Sequence, residues 1–175
     1  GYVGQTATKT ARVVKRAVGG VFFIDEAYSL MGDNFGQEAT NTILPMLLDY
    51  KGKMVCIAAG YPREIRQWID TNSGLESRFT KVIHFEDYNP DELAQIFRMK
   101  AKKDKLTLTP EAENAMRVYF TDLYNRRERN FANAREVNNY FDRVKKNQSS
   151  RLRHEMERPG FDPASYSILL PEDMG

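Results

Sequence analysis

Gly19-Gly20-Val21-Phe22-Phe23-Ile24-Asp25-Glu26 is the stretch that decides how this chain is read. The two glycines stop the helical pattern that precedes them. Four β-branched or aromatic residues follow without a break, which suits a strand of a parallel sheet covered on both faces. Asp25-Glu26 then ends the run abruptly. In open α/β sheets, ligands sit beyond the carboxyl ends of the strands. Two carboxylates delivered to that edge are expensive unless something positive meets them. A hydrated magnesium ion on a nucleotide phosphate would serve, with Asp25 meeting the metal's water shell and Glu26 polarising an attacking water. Taken alone, the pair is equally compatible with a solvated strand end before a helix N-terminus that favours acids.

Outward from this stretch, helical and strand patterns alternate up to about residue 88. Gln5 to Val18 carries Ala7, Ala11, Val14 and Val18 on one helical face. A loop is expected over roughly 31 to 37, then a helix from Glu38 to Tyr50 that Pro45 should bend or split. Met54 to Ala59 reads as a second buried strand, Pro62 to Asp70 as a helix, Asn72-Ser73-Gly74 as a loop and Lys81 to Phe85 as a third strand. Strands separated by helices imply right-handed crossovers and a parallel sheet. After Tyr88 the strand patterns stop. Asn89-Pro90-Asp91-Glu92 has the form of a capped helix start, running to about Lys103. Thr109-Pro110 opens another helix in the same way. A third begins near Asn133, with Val137, Phe141, Val144, Gln148 and Leu152 at helical spacing, and Pro159 ends it. The expected organisation is α/β over residues 1–88, all-helical over 89–157, and a tail over 158–175.

Composition narrows the function classes. With 41% hydrophobic and 29% charged residues among 175, the chain has material for a core and is no disordered polymer. Twenty-six Lys and Arg against 24 Asp and Glu leave a net charge of +2, too small for a general nucleic-acid or membrane footprint. No apolar run approaches the roughly 20 residues of a membrane span, and no secretory leader is visible. A single cysteine, Cys56, excludes a disulfide framework or a zinc ribbon within one chain and reads as a buried strand thiol. His84 and His154 have no metal-ligand partner at usable spacing. The first residue is Gly, not Met, which suggests a piece of a longer protein.

The longer string Gly19 to Leu30, GGVFFIDEAYSL, resembles the Walker B segment of the CbxX/CfqX group of AAA+ ATPases. That group includes the red-type rubisco activase and stage V sporulation protein K-like proteins. Three further segments resemble it in order: Tyr2 to Thr6 its central-pore loop, Ala58 to Pro62 with Asn72 to Phe79 its second motor strand and arginine-finger region, and Phe131 to Val137 the start of its sensor 2 helix. The resemblance implies a parallel-sheet AAA+ core followed by a small helical lid. It implies ATP and Mg²⁺ as cofactors of the intact protein, a homo-oligomeric ring (a hexamer), a protein substrate, a cytoplasmic location and no membrane partner; the near-neutral charge disfavours a DNA-handling member of the wider class. The expected activity is ATP hydrolysis coupled to remodelling of a protein partner.

The same resemblance distributes roles over residues. Glu26 is the base and Asp25 the Mg²⁺ partner. Arg78 is the finger that reaches a neighbouring subunit's γ-phosphate, although by itself it could be a surface arginine paired with Glu76. Many relatives carry a second arginine two or three residues earlier, where this chain has Glu76 and Leu75, so a single finger is expected. Arg135 is sensor 2, contacting the nucleotide of its own subunit, or an exposed arginine pairing with Glu136 or Asp142. Tyr2 is the aromatic of the substrate-gripping pore loop, or simply part of a frayed terminus. Where the wider AAA+ pattern ends its sensor 1 strand with Asn, this strand ends Gly60-Tyr61, leaving the Tyr61 hydroxyl or another residue for the task.

The phosphate-cradling signature Gly-x-x-x-x-Gly-Lys-[Ser/Thr] does not occur in these residues. In the family it precedes the pore loop, so this polypeptide alone is expected neither to bind ATP tightly nor to hydrolyse it. A scaffold that kept the fold and lost the motor is the alternative function. The family's sheet order, 5-1-4-3-2, makes the three predicted strands numbers 3, 4 and 5. Strand 5 is then expected to collapse onto strand 4, or another chain to fill the slot between them.

Overall fold

The computed structural model describes residues 4–128 and 131–175. The chain forms two compact units, Gly1–His84 and Phe85–Gly175.

In the first unit, helix α1 (Gln5–Arg16) precedes strand β1 (Val21–Ile24), and a 3₁₀ turn (Ala27–Met31) leads into α2 (Asn34–Asp49). Strand β2 (Val55–Ala58), α3 (Pro62–Asp70) and α4 (Ser73–Arg78) complete it. β1 and β2 pair in parallel, with Val21 opposite Val55 and Ile24 opposite Ala58. The turn chemistry explains the boundaries. Gly19, at φ 87°, occupies the left-handed region at the end of α1. α2 starts four residues earlier than the apolar spacing indicated, because Asp33 caps it by accepting from the Gly36 amide at 2.8 Å. Gly36 is obligatory there: a Cβ would lie 2.3 Å from the Leu30 carbonyl oxygen. Pro45 leaves α2 a single helix from Asn34 to Asp49, neither split nor divided into two elements. The expected loop at 72–74 instead opens the short helix α4, its Asn72 side chain accepting from the Gly74 amide.

Two small clusters form the core of this unit. Ala27, Leu44, Trp68 and Leu75 make one; Val14, Ile43 and Met46 make the other, with Phe22 and Ile24 packed against it. The strands contribute only alternate residues to this interior. Val21, Phe23, Val55 and Ile57 are 44–57% exposed and share the opposite face of the sheet. An unbroken apolar run was expected to be covered on both faces; within this unit one face is covered and the other is open.

The expected third strand does not form. Residues 79–89 have no strand or helix assignment, and the sheet of this unit holds β1 and β2 alone among the described residues. Strand 5 therefore does not collapse onto strand 4. Val82, Ile83 and Phe85 are 83%, 69% and 87% exposed. Consecutive apolar residues at 82 and 83 point to opposite faces, so such a strand gains stability only when both faces are covered. Without that cover, ladder bonds do not offset the entropy of ordering the segment.

The second unit is α5 (Pro90–Lys103), β3 (Thr107–Leu108), α6 (Pro110–Asn125), α7 (Ala134–Met156) and β4 (Ile168–Leu169). The Asn89–Glu92 capping box opens α5, and Thr109 caps α6 through the Ala112 amide. Phe97, Phe120, Tyr140 and Phe141 meet in one aromatic core. All five apolar-face positions foreseen on α7, Val137 to Leu152, are buried. Within the last 18 residues, expected as a tail, Leu169 and Met174 join this core. β4 pairs in parallel with β3, Leu169 and Met174 are buried, and Gln148 donates to the Tyr166 and Ile168 carbonyls. Arg151 holds Asp173 through two bonds of 2.9 Å. No described helix is long and apolar enough to cross a membrane.

Candidate active site

The acidic pair sits at the carboxyl end of the parallel strands, and the backbone holds it there. The ladder continues one step past the strands: the Ala59 amide donates to the Ile24 carbonyl at 2.8 Å, and the Ala27 amide to the Ala59 carbonyl at 3.1 Å. Between those anchors the chain must turn within two residues. Glu26 therefore adopts a left-handed conformation, φ 47° and ψ 48°, unusual for a residue with a side chain. Its amide donates to Asp25 Oδ1 at 3.1 Å. Both acidic residues are exposed, while Ala27 next to them is fully buried. The pair thus faces outward on a fixed turn.

Tyr61 follows β2 and joins the same neighbourhood through Tyr28: the two rings stack at 6.5 Å between centroids and 28° between planes. Gly60 makes room, since a Cβ there would fall 2.7 Å from Tyr28 Cε1. The Tyr28 hydroxyl has its pKa raised above the ordinary 10.0, by desolvation first and then by the adjacent Glu26 carboxylate, with Tyr61 and Glu64 adding to it. Glu64, on α3, keeps its Oε2 out of solvent and without a hydrogen-bond partner. Tyr28 and Glu64 were not foreseen as site residues. The only sequence signal for Tyr28 is its place in the string Asp25 to Leu30; for Glu64 there is none.

Arg78 lies elsewhere in the first unit. Its Nε donates to the Leu44 carbonyl of α2 at 2.8 Å, and its Nη1 to the Gly74 carbonyl at 2.9 Å and to Ser77 Oγ at 3.2 Å. It borders a groove of about 450 Å³ together with Leu47, Met54, Cys56 and Phe79. Burial pushes the Cys56 thiol up to about 11.

Arg135 belongs to the second unit, exposed in the first turn of α7. Beside it, Asn133 has φ 50° and ψ −120°, a strained conformation. Its Oδ1 accepts from the Tyr88 amide at 2.8 Å, and its Nδ2 donates to Asp87 Oδ1 at 2.8 Å and the Phe131 carbonyl at 3.2 Å. The start of α7 is thereby tied to the segment that enters this unit. Tyr2 falls outside the described residues. Among the described residues no group of three His, Cys, Asp or Glu could hold a metal ion. An exposed Asp25 fits the alternative donor set, one carboxylate beside a cation whose other partners are water and phosphate.

Residues 89–175 match the AAA lid domain, and a parallel strand pair ending in an outward acidic turn is consistent with part of the core that precedes such a lid. Along the whole chain the similarity is to CbbX of Cereibacter sphaeroides, 38% identical over 177 residues that cover 99% of this chain and 56% of that protein. The chain belongs to the AAA+ proteins of the CbbX/CfxQ, rubisco-activase-like group. The chloroplastic ribulose bisphosphate carboxylase/oxygenase activase of Cyanidioschyzon merolae is 39% identical over 156 residues, covering 86% of this chain and 52% of that protein. The chain thus spans about half the length of both relatives. The ESX-1 secretion system protein EccA1 of Mycobacterium tuberculosis is 44% identical over 117 residues, 63% of this chain and 20% of its own.

Proposed function

We propose that this chain is the Walker B-to-lid portion of an AAA+ ATPase that couples ATP binding and hydrolysis to the remodelling of a protein partner. The observation that carries this reading is the Asp25-Glu26 turn, pinned by the Ala27–Ala59 and Ala59–Ile24 hydrogen bonds at the carboxyl end of β1 and β2. When bound, Mg²⁺-ATP supplies the scissile phosphate and the cation that neutralises it. Asp25 would hold the cation's water shell, and Glu26 would take a proton from the attacking water. Tyr61 would orient that water. Arg135, exposed at the start of the lid helix, would sense the nucleotide of its own subunit. Arg78 would serve a neighbouring subunit in a hexameric ring, exchanging its carbonyl partners for phosphate oxygens. Tyr2 would grip the substrate polypeptide.

The partner is a protein. A rubisco, a secretion component and a spore protein are the classes that the group suggests, acted on in the cytoplasm. The 175-residue polypeptide by itself lacks the phosphate-cradling signature, so it would show no tight ATP binding in calorimetry and no turnover. The test of the reading is Glu26→Gln in the full-length protein. ATPase turnover should fall at least about 100-fold while nucleotide binding persists; retention of turnover would sink it. The scaffold alternative draws support from Arg78, whose Nε and Nη1 donate to carbonyls of its own chain. Under that reading wild-type full-length protein would not hydrolyse ATP with any partner.

A further inference from the structure

Asn133 stands immediately before α7, where an asparagine ordinarily caps the helix by accepting from a first-turn amide. Its side chain makes no such bond. Its backbone is strained as well: φ 50° with ψ −120° lies outside the left-handed well that asparagine tolerates. A capping bond and a relaxed backbone would both have favoured α7, and the residue has neither.

All three of its side-chain hydrogen bonds go to groups outside the helix. Oδ1 accepts from the Tyr88 amide at 2.8 Å, and Nδ2 donates to Asp87 Oδ1 at 2.8 Å and to the Phe131 carbonyl at 3.2 Å. Asparagine suits these partners because one short side chain presents an acceptor and a donor together. Asp87 is held from a second direction by Arg127, 3.6 Å away. The Arg127 guanidinium in turn lies 3.6 Å over the Tyr124 ring and donates to the Tyr124 carbonyl at 2.8 Å. Residues 87 and 88 are thus tied both to the end of α6 and to the start of α7, and Asn89 beside them opens α5.

The turn that carries Arg135 is built on the same residue. The Glu136 and Val137 amides donate to the Asn133 carbonyl at 3.0 and 3.4 Å, and the Arg135 amide to the Ala132 carbonyl at 2.9 Å. Arg135 itself is exposed. A long exposed side chain brings its own torsional freedom, so the backbone it starts from must be fixed if it is to meet a phosphate within about an ångström. Strained residues persist where their surroundings over-determine them, and they cluster at such sites.

We propose that Asn133 is a positioning residue: its bonds to Asp87 and Tyr88 fix the first turn of α7 to the chain entering this unit and thereby set where Arg135 meets the nucleotide. This rests on the reading of Arg135 as the arginine that senses the nucleotide of its own subunit.

The experiment measures calorimetric binding of a magnesium-bound, non-hydrolysable ATP analogue and amide hydrogen exchange, both on the full-length protein. Asn133→Gly removes the three bonds and accepts the positive φ. It should speed exchange at the Tyr88 amide at least about tenfold and weaken analogue binding about tenfold. In an Arg135→Ala background it should weaken binding no further, because the group it positions is gone. Thr109→Ala, which removes the α6 cap in the same unit, should leave the affinity within about twofold of wild type and so reports the effect of destabilisation alone. If Asn133→Gly folds poorly, Asn133→Asp sets a carboxylate against Asp87 and should give the same loss, at least half of it recovered on adding Asp87→Asn. Wild-type affinity in Asn133→Gly, a loss that adds in full to that of Arg135→Ala, or an equal loss in Thr109→Ala overturns the proposal while the reading of Arg135 stands. Wild-type affinity in Arg135→Ala overturns that reading and the proposal with it.

Discussion

Replacing Arg151 with Met should strongly destabilise the helical unit. The Arg151 side chain is 8% exposed and Asp173 is 1% exposed. The guanidinium makes two 2.9 Å bonds to Asp173, two to Glu155 at 3.1 and 3.2 Å, and one to the Ile168 carbonyl at 3.0 Å. Met fills the volume of the side-chain stem but leaves the Asp173 carboxylate buried with the Leu170 amide, 2.8 Å away, as its remaining donor among the described residues. Breaking a buried pair from one side typically costs about 3–5 kcal/mol, because the orphaned charge stays desolvated. The Ile168 carbonyl loses the Arg151 bond but keeps that from Gln148 Nε2 at 3.1 Å, so it adds little to that range. The double variant Arg151→Met/Asp173→Asn removes the uncompensated charge, keeps an acceptor for the Leu170 amide and should recover at least half of the loss. Urea unfolding of the 175-residue chain, followed by far-UV circular dichroism, measures both. A cost for Arg151→Met below about 1 kcal/mol, the value of a surface pair, would refute the reasoning. So would a double variant no more stable than the single one.

Further outcomes follow from other contacts. Asn133→Gly should be more stable than Asn133→Ala by about 1 kcal/mol, because both lose the bonds to Tyr88 and Asp87 while only glycine accepts the positive φ without strain; denaturant midpoints check this. Gly36→Ala should destabilise the first unit by roughly 1–3 kcal/mol, since its methyl would overlap the Leu30 carbonyl. Cys56, raised from 9.0 to about 11, should react with iodoacetamide at pH 8 about 100-fold more slowly than an unshifted thiol, as thiolate fraction sets the rate. The Glu113 pKa is lowered, chiefly by its hydrogen bond from Arg98. Its stabilising contribution is present above the ordinary carboxylate pKa of 4.5 and lost as pH falls through the lower folded value. Glu113→Gln should therefore flatten the fall in stability below about pH 4.5.

The helical unit was the more legible half. Asn89-Pro90 and Thr109-Pro110 announce their helices because capping is a local interaction within four residues. The α7 face from Val137 to Leu152 is equally local, a matter of spacing on one helix. Its closing elements were not legible. β3 and β4 are two residues each, too short for any periodicity, and they pair across about 60 positions. The candidate site divided in the same way. Asp25 and Glu26 were visible as a break in an apolar run. Tyr28 and Glu64 were not, because what makes them notable is proximity to Glu26 and burial of one oxygen.

Sequence alone determined the main helices and the first two strands, where the acidic turn falls, and membership in an AAA+ group, since these depend on neighbours within a few positions or on a contiguous string. Tertiary structure decided the rest. It left Lys81 to Phe85 outside the sheet, opened one face of β1 and β2, folded the last 18 residues into the lid, and turned the Arg78 guanidinium onto the Leu44 carbonyl. Each of those outcomes turns on whether a distant segment covers a surface or offers a hydrogen-bond partner, and only the folded chain fixes that.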